Sequence, residues 1–304
     1  MIYTCTLNPS VDYIIQVSEF RAGELNRSEN TFYYPGGKGI NVSRVLKRLK
    51  VENTALGFLG GFTGQFIKNE LHAEDIQIDF IEVSGNTRVN VKLKSDSETE
   101  INGPGAEVTK EQIQKLYDQI GTLKQGDFLV AAGSTPASVP ANFYAEVAKI
   151  CNENDVPIIV DTSSQALKEI LGKRLFLVKP NHHELGELFN TVIGSVDDAL
   201  AYGKKLLQEG PEHVIVSMGG DGAVFISKDH CFFAKAPEGE VKNTVGAGDS
   251  MVAGFLSAYV KENSLENAFK YAVATGSATA FSEDLCTNQD VEELLQRIEM
   301  ERLD

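Results

Sequence analysis

Short apolar, β-rich runs return along this chain at the spacing of strand, crossover helix, strand, and no other feature restricts the fold as strongly. Residues 2–7, 54–59, 127–132, 157–160, 175–178 and 213–217 are such runs, set between turn-forming residues, and read as buried strands. Helix-length segments lie between them, at 39–49, 64–73, 109–121, 140–154, 195–208, 247–261, 265–281 and 288–299. The segment from Thr109, a candidate cap, repeats apolar residues at helical spacing. This is the sequence form of an α/β protein whose mostly parallel central sheet is covered by helices on both faces.

Two stretches interrupt the rhythm. Residues 11–20 with 26–34, and 76–83 with 88–94 and 98–102, read as strands and turns without helices. They predict a small β layer, inserted from about 11–34 and 76–102 into a single domain spanning 1–304. Polar residues such as Asn90 and Lys92 alternate along it, so one face is wet or lines a ligand site.

Charge and cysteine content narrow the function. The net charge of −15 argues against nucleic acid as a partner. The acid is uneven, because residues 1–60 carry seven Lys and Arg against five Asp and Glu, so this part can face something anionic. Cys5, Cys151, Cys231 and Cys286 are far apart and form no C-x-x-C, which favours buried free thiols in a reducing, cytoplasmic setting. Apolar stretches reach only about ten residues and the start lacks a basic leader, so neither a membrane span nor a signal peptide is expected.

Lys242-Asn243-Thr244-Val245-Gly246-Ala247-Gly248-Asp249-Ser250, ahead of an apolar helix, is the most informative stretch. Small residues let the chain turn tightly, and the free N–H groups of the helix start then face forward, an arrangement suited to phosphoryl oxygens. Asp249, in the first turn, should stay ionised and accept a proton from a hydroxyl. A plain loop with a first-turn acid explains the same residues equally well. A dinucleotide fingerprint is disfavoured, since Met251 stands where its third glycine belongs, and a P-loop is absent, since Lys38 is followed by Gly39 and position 32 is Phe.

Gly36-Gly37-Lys38-Gly39-Ile40-Asn41 opens a predicted helix, and Asn8-Pro9-Ser10-Val11-Asp12 ends the first strand, where α/β folds place ligand contacts. Backbone at the glycines, donors on Lys38 and Asn41, and the Asp12 carboxylate suit the hydroxyls of a sugar. Lys179-Pro180-Asn181-His182-His183-Glu184 reads as a capping box, with Mg²⁺ bound through water near Asn181 and Glu184 as the functional reading. Glu187 stands where a zinc protease needs its second His. Ser217-Met218-Gly219-Gly220-Asp221-Gly222 is either a tight hairpin or a turn whose N–H groups touch a nucleotide. Arg27, Arg88 and Lys92, from the β layer, are candidate phosphate clamps.

Together, TLNPSVD, PGGKGINVSRVL, TRVNVK, KPNHHE and NTVGAGDSMVAGF resemble the ribokinase-like PfkB carbohydrate kinase family, in family order over essentially the whole chain. The resemblance implies a three-layer α/β/α domain with a β-sheet lid that often builds a homodimer, and ATP-dependent phosphoryl transfer with Mg²⁺. It makes Asp249 the catalytic base and Gly246, Ala247 and Gly248 the anion hole. It assigns the sugar to Asp12, Gly37, Lys38 and Asn41. ATP falls to Lys179, Asn181, Ser217 to Gly222 and Gly248, with Ala274 and Ser277 flanking the adenine and Glu184 ordering the metal through water. NVSRVLKRL, LGFLGGFTG, TRVNVK and AVATGSATAFSEDLCT resemble most the members acting on fructose 1-phosphate, with tagatose 6-phosphate as the neighbouring substrate. Arg88, with Arg27 and Lys38, would hold the substrate's phosphate. A sugar-phosphate sensor without turnover is the rival of another class, and the intact GAGD loop argues against it.

Overall fold

The computed structural model describes residues 1–303. Strand β1 (Ile2–Thr6) is followed by β2 (Ser10–Gln16) and β3 (Asn30–Gly36), and then by the first helix, α1 (Lys38–Arg48). Next come β4 (Asn53–Leu59), α2 (Gly61–Ala73), β5 (Gln77–Glu82), β6 (Arg88–Lys94) and β7 (Glu98–Asn102). The middle of the chain alternates α3 (Lys110–Gly121), β8 (Phe128–Ala132), α4 (Phe143–Glu153), β9 (Ile158–Asp161), α5 (Ser164–Lys168) and β10 (Leu175–Val178). Helices α6 (His182–Phe189) and α7 (Val196–Gln208) lead to β11 (Pro211–Ser217), β12 (Ala223–Ser227) and β13 (Cys231–Ala234). The chain finishes with α8 (Ala247–Glu262), α9 (Leu265–Ala280), α10 (Asn288–Leu295) and β14 (Met300–Arg302).

Seven strands, in the order β11-β10-β9-β8-β1-β4-β5, pair in parallel, and β12, β13 and β14 extend that sheet antiparallel beyond β11. Alternation along the central strands builds a core on each face. Leu129, Ala131, Ile158, Val160, Val214 and Val216 pack with Ile113 and Leu116 of α3 and Val147 of α4. Val130, Ile159 and Ile215 pack on the other face with Val45 of α1, Phe255 of α8 and Phe269 of α9. Each such Val, Leu, Ile or Phe side chain, fully buried, contributes about 1.5–3 kcal/mol, so the sheet is a rigid platform for whatever its strand ends carry. The four cysteines are buried and free, and among the described residues no helix is long and apolar enough to cross a membrane.

A separate four-stranded sheet, β3-β2-β6-β7, stands over one end of the large one. Its makeup corrects one expectation: residues 76–83 do not belong to it. β5 pairs in parallel with β4 as the edge of the large sheet, from Thr54 opposite Gln77 to Leu59 opposite Glu82, so the second insertion begins at Arg88. An edge strand keeps one side in water, and the exposure of β5 alternates just as that of a lid strand would.

Residues at the carboxyl ends of several parallel strands share one cavity with Asp12, Arg88 and Asn90 of this small sheet. Asn8 and Ser10 follow β1, Ser134 follows β8, Asp161 ends β9, Lys179 follows β10 and Ser217 ends β11. That is where open α/β sheets hold their ligands.

Candidate active site

Helix α8 starts at Gly246, which takes a left-handed φ of 78°. A Cβ there would lie 2.6 Å from Leu285 Cδ2, so the loop needs glycine both for its torsion and for its packing. The helix's first backbone bond runs from the Ser250 N–H to the Gly246 carbonyl, 2.8 Å, which leaves the N–H groups of Gly248 and Asp249 at the open end. Ala247, an expected donor of the same group, turns its N–H toward the Thr244 carbonyl at 3.3 Å.

Asp249 itself is buried, and its Oδ2 accepts a 2.8 Å hydrogen bond from Asn41 Nδ2. Its neighbour is a set of charges that motif reading missed in part. Lys38 Nζ donates to Asp161 Oδ1 at 2.9 Å, and Lys179 Nζ lies 3.3 Å from Asp161 Oδ2, an ion pair without hydrogen-bond alignment. Asp161 is 1% exposed and Lys179 4%, so these charges are screened mainly by one another. Burial pushes the Asp249 carboxyl up to about 6, with Asp161 adding to the rise and Lys38, Asn41 and Lys179 opposing it. At pH 7 it is therefore still largely ionised, yet a better proton acceptor than a solvated aspartate. Burial also disfavours the charged form of Asp161, but Lys179 and Lys38 outweigh it and hold that carboxyl below its ordinary value. Lys38 is driven upward in turn, burial being overcome by Asp161 and Asp249. A side chain at Gly248 would put its Cβ 3.0 Å from Lys179 Nζ, so glycine there keeps the lysine at the helix start.

These groups lie in a cavity of about 930 Å³. At its lid end it gathers Gly37, Lys38, Asn41, Asp12, Asn90 and Arg88 from the residues expected at a sugar site. Asp12 Oδ1 accepts from Ser10 Oγ at 2.8 Å and from Asn90 Nδ2 at 3.1 Å, which leaves its second oxygen for a diol. Gly36 makes room for it, since a Cβ there would come within 2.6 Å of all three carboxyl atoms. Arg88 Nη2 donates to the Asn8 carbonyl at 3.0 Å, while its Nε is buried with no partner among the described residues. Two expected clamps lie elsewhere. Arg27 is exposed on the loop between β2 and β3, and Lys92 pairs with Glu100 at 2.7 Å beside a much smaller space behind Asp12.

At the other end the cavity is lined by Lys179, Asn181, Glu184, Ser217, Gly219, Gly220, Gly222 and Ser277. Asn181 and Glu184 form the reciprocal cap of α6, each side chain accepting from the other's N–H at 2.8 Å. Residues 217–222 are indeed a tight connection between β11 and β12, with the Met218 N–H bonded to the Gly222 carbonyl at 2.8 Å. Met218 is buried, Asp221 is exposed on the turn and Ala274 is buried in the core, and none of the three lines the cavity. Reading the sequence missed the wall formed by Lys235 to Gly239, Val241, Val273 and Phe281. Nothing local marks residues 235–239, whereas Asp161 could have been found as a carboxylate at the end of a parallel strand.

A model of the pfkB family of carbohydrate kinases matches residues 6–291. The chain is 52% identical over 303 residues to a 1-phosphofructokinase of Bacillus subtilis, covering 100% of both proteins. It is 39% identical over 304 residues to a D-tagatose-1-phosphate kinase of Bacillus licheniformis, again covering 100% of both. In three dimensions it is similar to phosphofructokinase-2 from Escherichia coli in complex with substrates and products, with a TM-score of 0.92, 30% identity and coverage of 97% and 98% of the two chains.

Proposed function

Since this chain belongs to the pfkB family of carbohydrate kinases, we propose that it transfers the γ-phosphoryl group of ATP to the 6-hydroxyl of fructose 1-phosphate, giving fructose 1,6-bisphosphate and ADP. It is an ATP-dependent sugar kinase, and the observation that carries the choice of acceptor is its 52% identity, end to end, with a 1-phosphofructokinase. The chemistry is carried by Asp249 at the start of α8, buried, bonded to Asn41 and flanked by Lys38 and Lys179.

In this reading Asp12, Asn90 and Asn41 orient the sugar hydroxyls, and Asp249 accepts the proton of the attacking one. Proton transfer can be late, because phosphoryl transfer passes through a loose transition state in which positioning and charge stabilisation dominate. The forward N–H groups of α8 and the two lysines face the charge that builds on the transferred group. The nucleotide lies along Lys179, Asn181, Ser217 and the glycines of 219–222, with its base toward Ser277, Val273 and Phe281. Among the described residues no three His, Cys, Asp or Glu side chains converge on one point, which suits a magnesium ion held mostly by phosphates and water, with Glu184 as the nearby carboxylate. When bound, Mg²⁺ neutralises charge on the phosphate oxygens.

Arg88, which lines the lid end of the cavity, is the cation assigned to the substrate's own phosphate. A charge-assisted hydrogen bond is worth about 1.5–3 kcal/mol, so Arg88→Ala raises KM for the phosphosugar roughly 10- to 100-fold and leaves KM for ATP nearly unchanged. Equal effects on both substrates would remove this assignment.

The β3-β2-β6-β7 sheet is the lid, and its outer face supports assembly of two copies. Tyr13, Tyr33, Val89, Val91 and Ile101 share that face, the two tyrosine rings stack at 4.5 Å, and Tyr33 and Ile101 are 54% and 62% exposed. Sedimentation equilibrium should report a dimer, and a monomer at micromolar concentration would refute it. Four buried free cysteines accord with work in the reducing cytoplasm.

The acceptor is decided by one panel of ADP-release assays. Fructose 1-phosphate should have the highest kcat/KM among fructose 1-phosphate, tagatose 1-phosphate, tagatose 6-phosphate, fructose 6-phosphate and the free sugars. Preference for a tagatose phosphate would move the chain to its sister activity, and no turnover with any would favour a sensor.

A further inference from the structure

Asp161 is the one fully buried carboxylate that touches both lysines of the site, and no step above uses it. It ends β9, whose strand neighbours β8 and β10 fix its backbone, with Ala132 and Asp161 in register across β8 and β9. Its two oxygens meet lysines that line opposite halves of the cavity. Oδ1 takes the Lys38 ammonium from the sugar-side helix at 2.9 Å, and Oδ2 lies 3.3 Å from the Lys179 ammonium on the nucleotide side. Lysine is a flexible point charge, and its value to a reaction depends on what holds the ammonium in place. Among the described residues Asp161 is the carboxylate that both ammonium groups meet: Lys179, 4% exposed, has little water to hold it, and Lys38, reaching across from α1 with its side chain 36% exposed, makes its ion pair with Asp161.

We propose that Asp161 is a positioning residue for phosphoryl transfer, its carboxylate locking the acceptor-side Lys38 and the nucleotide-side Lys179 into one fixed arrangement beside Asp249. The proposal rests on the kinase reading above. It makes Asp161 the point at which the two substrate halves share a charge contact, and the rigid strand end converts two mobile ammonium groups into a preorganised pair. It also gives Asp161 a long-range hand on the base. The charged groups acting on Asp249 are Lys38 from α1, Lys179 after β10 and Asp161 itself, and of these Asp161 alone opposes ionisation.

The experiment compares wild type with Asp161→Asn, a replacement of the same size, in the full-length chain with ATP, Mg²⁺ and the acceptor chosen by the panel. Wild-type turnover tests the kinase reading, while the variant-to-wild-type ratio tests Asp161, so the two fail separately. Losing the lock should lower kcat about 10- to 100-fold, with KM for ATP changed less than about threefold, because both ammonium groups remain to attract phosphate. The acid limb of kcat/KM should move to lower pH, since the charge that opposed Asp249 ionisation is gone. Ionisation of the substrate phosphates is common to both enzymes and cancels in this comparison. A purely structural role would lower the active fraction and leave the acid limb where it was. In a double-mutant cycle with Lys38→Met, Asp161→Asn should add less than its effect alone, because part of that effect passes through Lys38 and the rest through Lys179. An unmoved acid limb or full additivity would overturn the proposal. If two unneutralised lysines prevent Asp161→Asn from folding, Asp161→Asn combined with Lys179→Met restores one cation's balance, and the limb is read against Lys179→Met alone. Failure of that double variant to fold while Lys179→Met folds would make Asp161 structural and likewise overturn it.

Discussion

Asp249→Asn should retain nucleotide affinity and lose kcat by ~10²–10⁴, the range expected when a general base is removed. The substitution keeps shape, and the amide oxygen can still accept from Asn41 Nδ2, which now donates at 2.8 Å. What disappears is the ability to take a proton. Nucleotide binding should survive because removing one negative charge from a group that also holds Lys38, Lys179 and Asp161 leaves that end of the cavity more positive. The pH profile gives a second, independent reading. Burial raises the Asp249 carboxyl to about 6, and the ionised form is the active one, so kcat/KM is full above that value and is lost as pH falls through it. A phosphate monoester also ionises near pH 6, so the wild-type limb alone is ambiguous. In Asp249→Asn only the substrate's share of the limb should remain. A variant with near-normal kcat would end the assignment of Asp249 as base.

The parts of this site that could be read without a structure are those whose chemistry is local. Gly246-Ala247-Gly248-Asp249 and Asn181 to Glu184 announce helix starts by composition, and both helices start there. Six buried strands were legible because parallel strands covered on both faces are short continuous apolar runs. The losses have physical causes. β5 was assigned to the wrong sheet because an edge strand alternates like a lid strand. β14, three residues long and mostly exposed, leaves almost no pattern, and the final helix was expected to run to 299 although it ends at Leu295. Asp161 was missed by one position: the apolar run of β9 stops at Val160, so the strand was read as ending just before its carboxylate. Lys92 shows the opposite error. Positive charge is visible in a sequence, but whether a side chain reaches a cavity depends on the register of strands such as β6 and β7, where Lys92 faces Glu100.

The loop before Asp249 should be as sensitive as the base, and Gly246→Ala tests it. The residue sits at φ 78°, where a Cβ costs roughly 1–2 kcal/mol, and that Cβ would meet Leu285 Cδ2 at 2.6 Å. Leu285 is a poor candidate to yield. It is 6% exposed in the core shared with α8 and α9, Arg48 donates to its carbonyl, and the preceding Asp284 is held by Arg44 and Arg48, each at 2.8 Å. Strain is therefore relieved by moving the start of α8, which carries the Gly248 and Asp249 N–H groups. A displaced anion hole costs ~10²–10³ in kcat, whereas 1–2 kcal/mol in a chain of this size lowers Tm by only about 2–8 °C. The expected result is a folded enzyme with a slightly lower Tm, a KM for the phosphosugar close to wild type and a kcat two to three orders of magnitude down. A kcat within threefold of wild type would show that the helix start does not bear the developing charge, and the lysine pair would then have to carry that role alone.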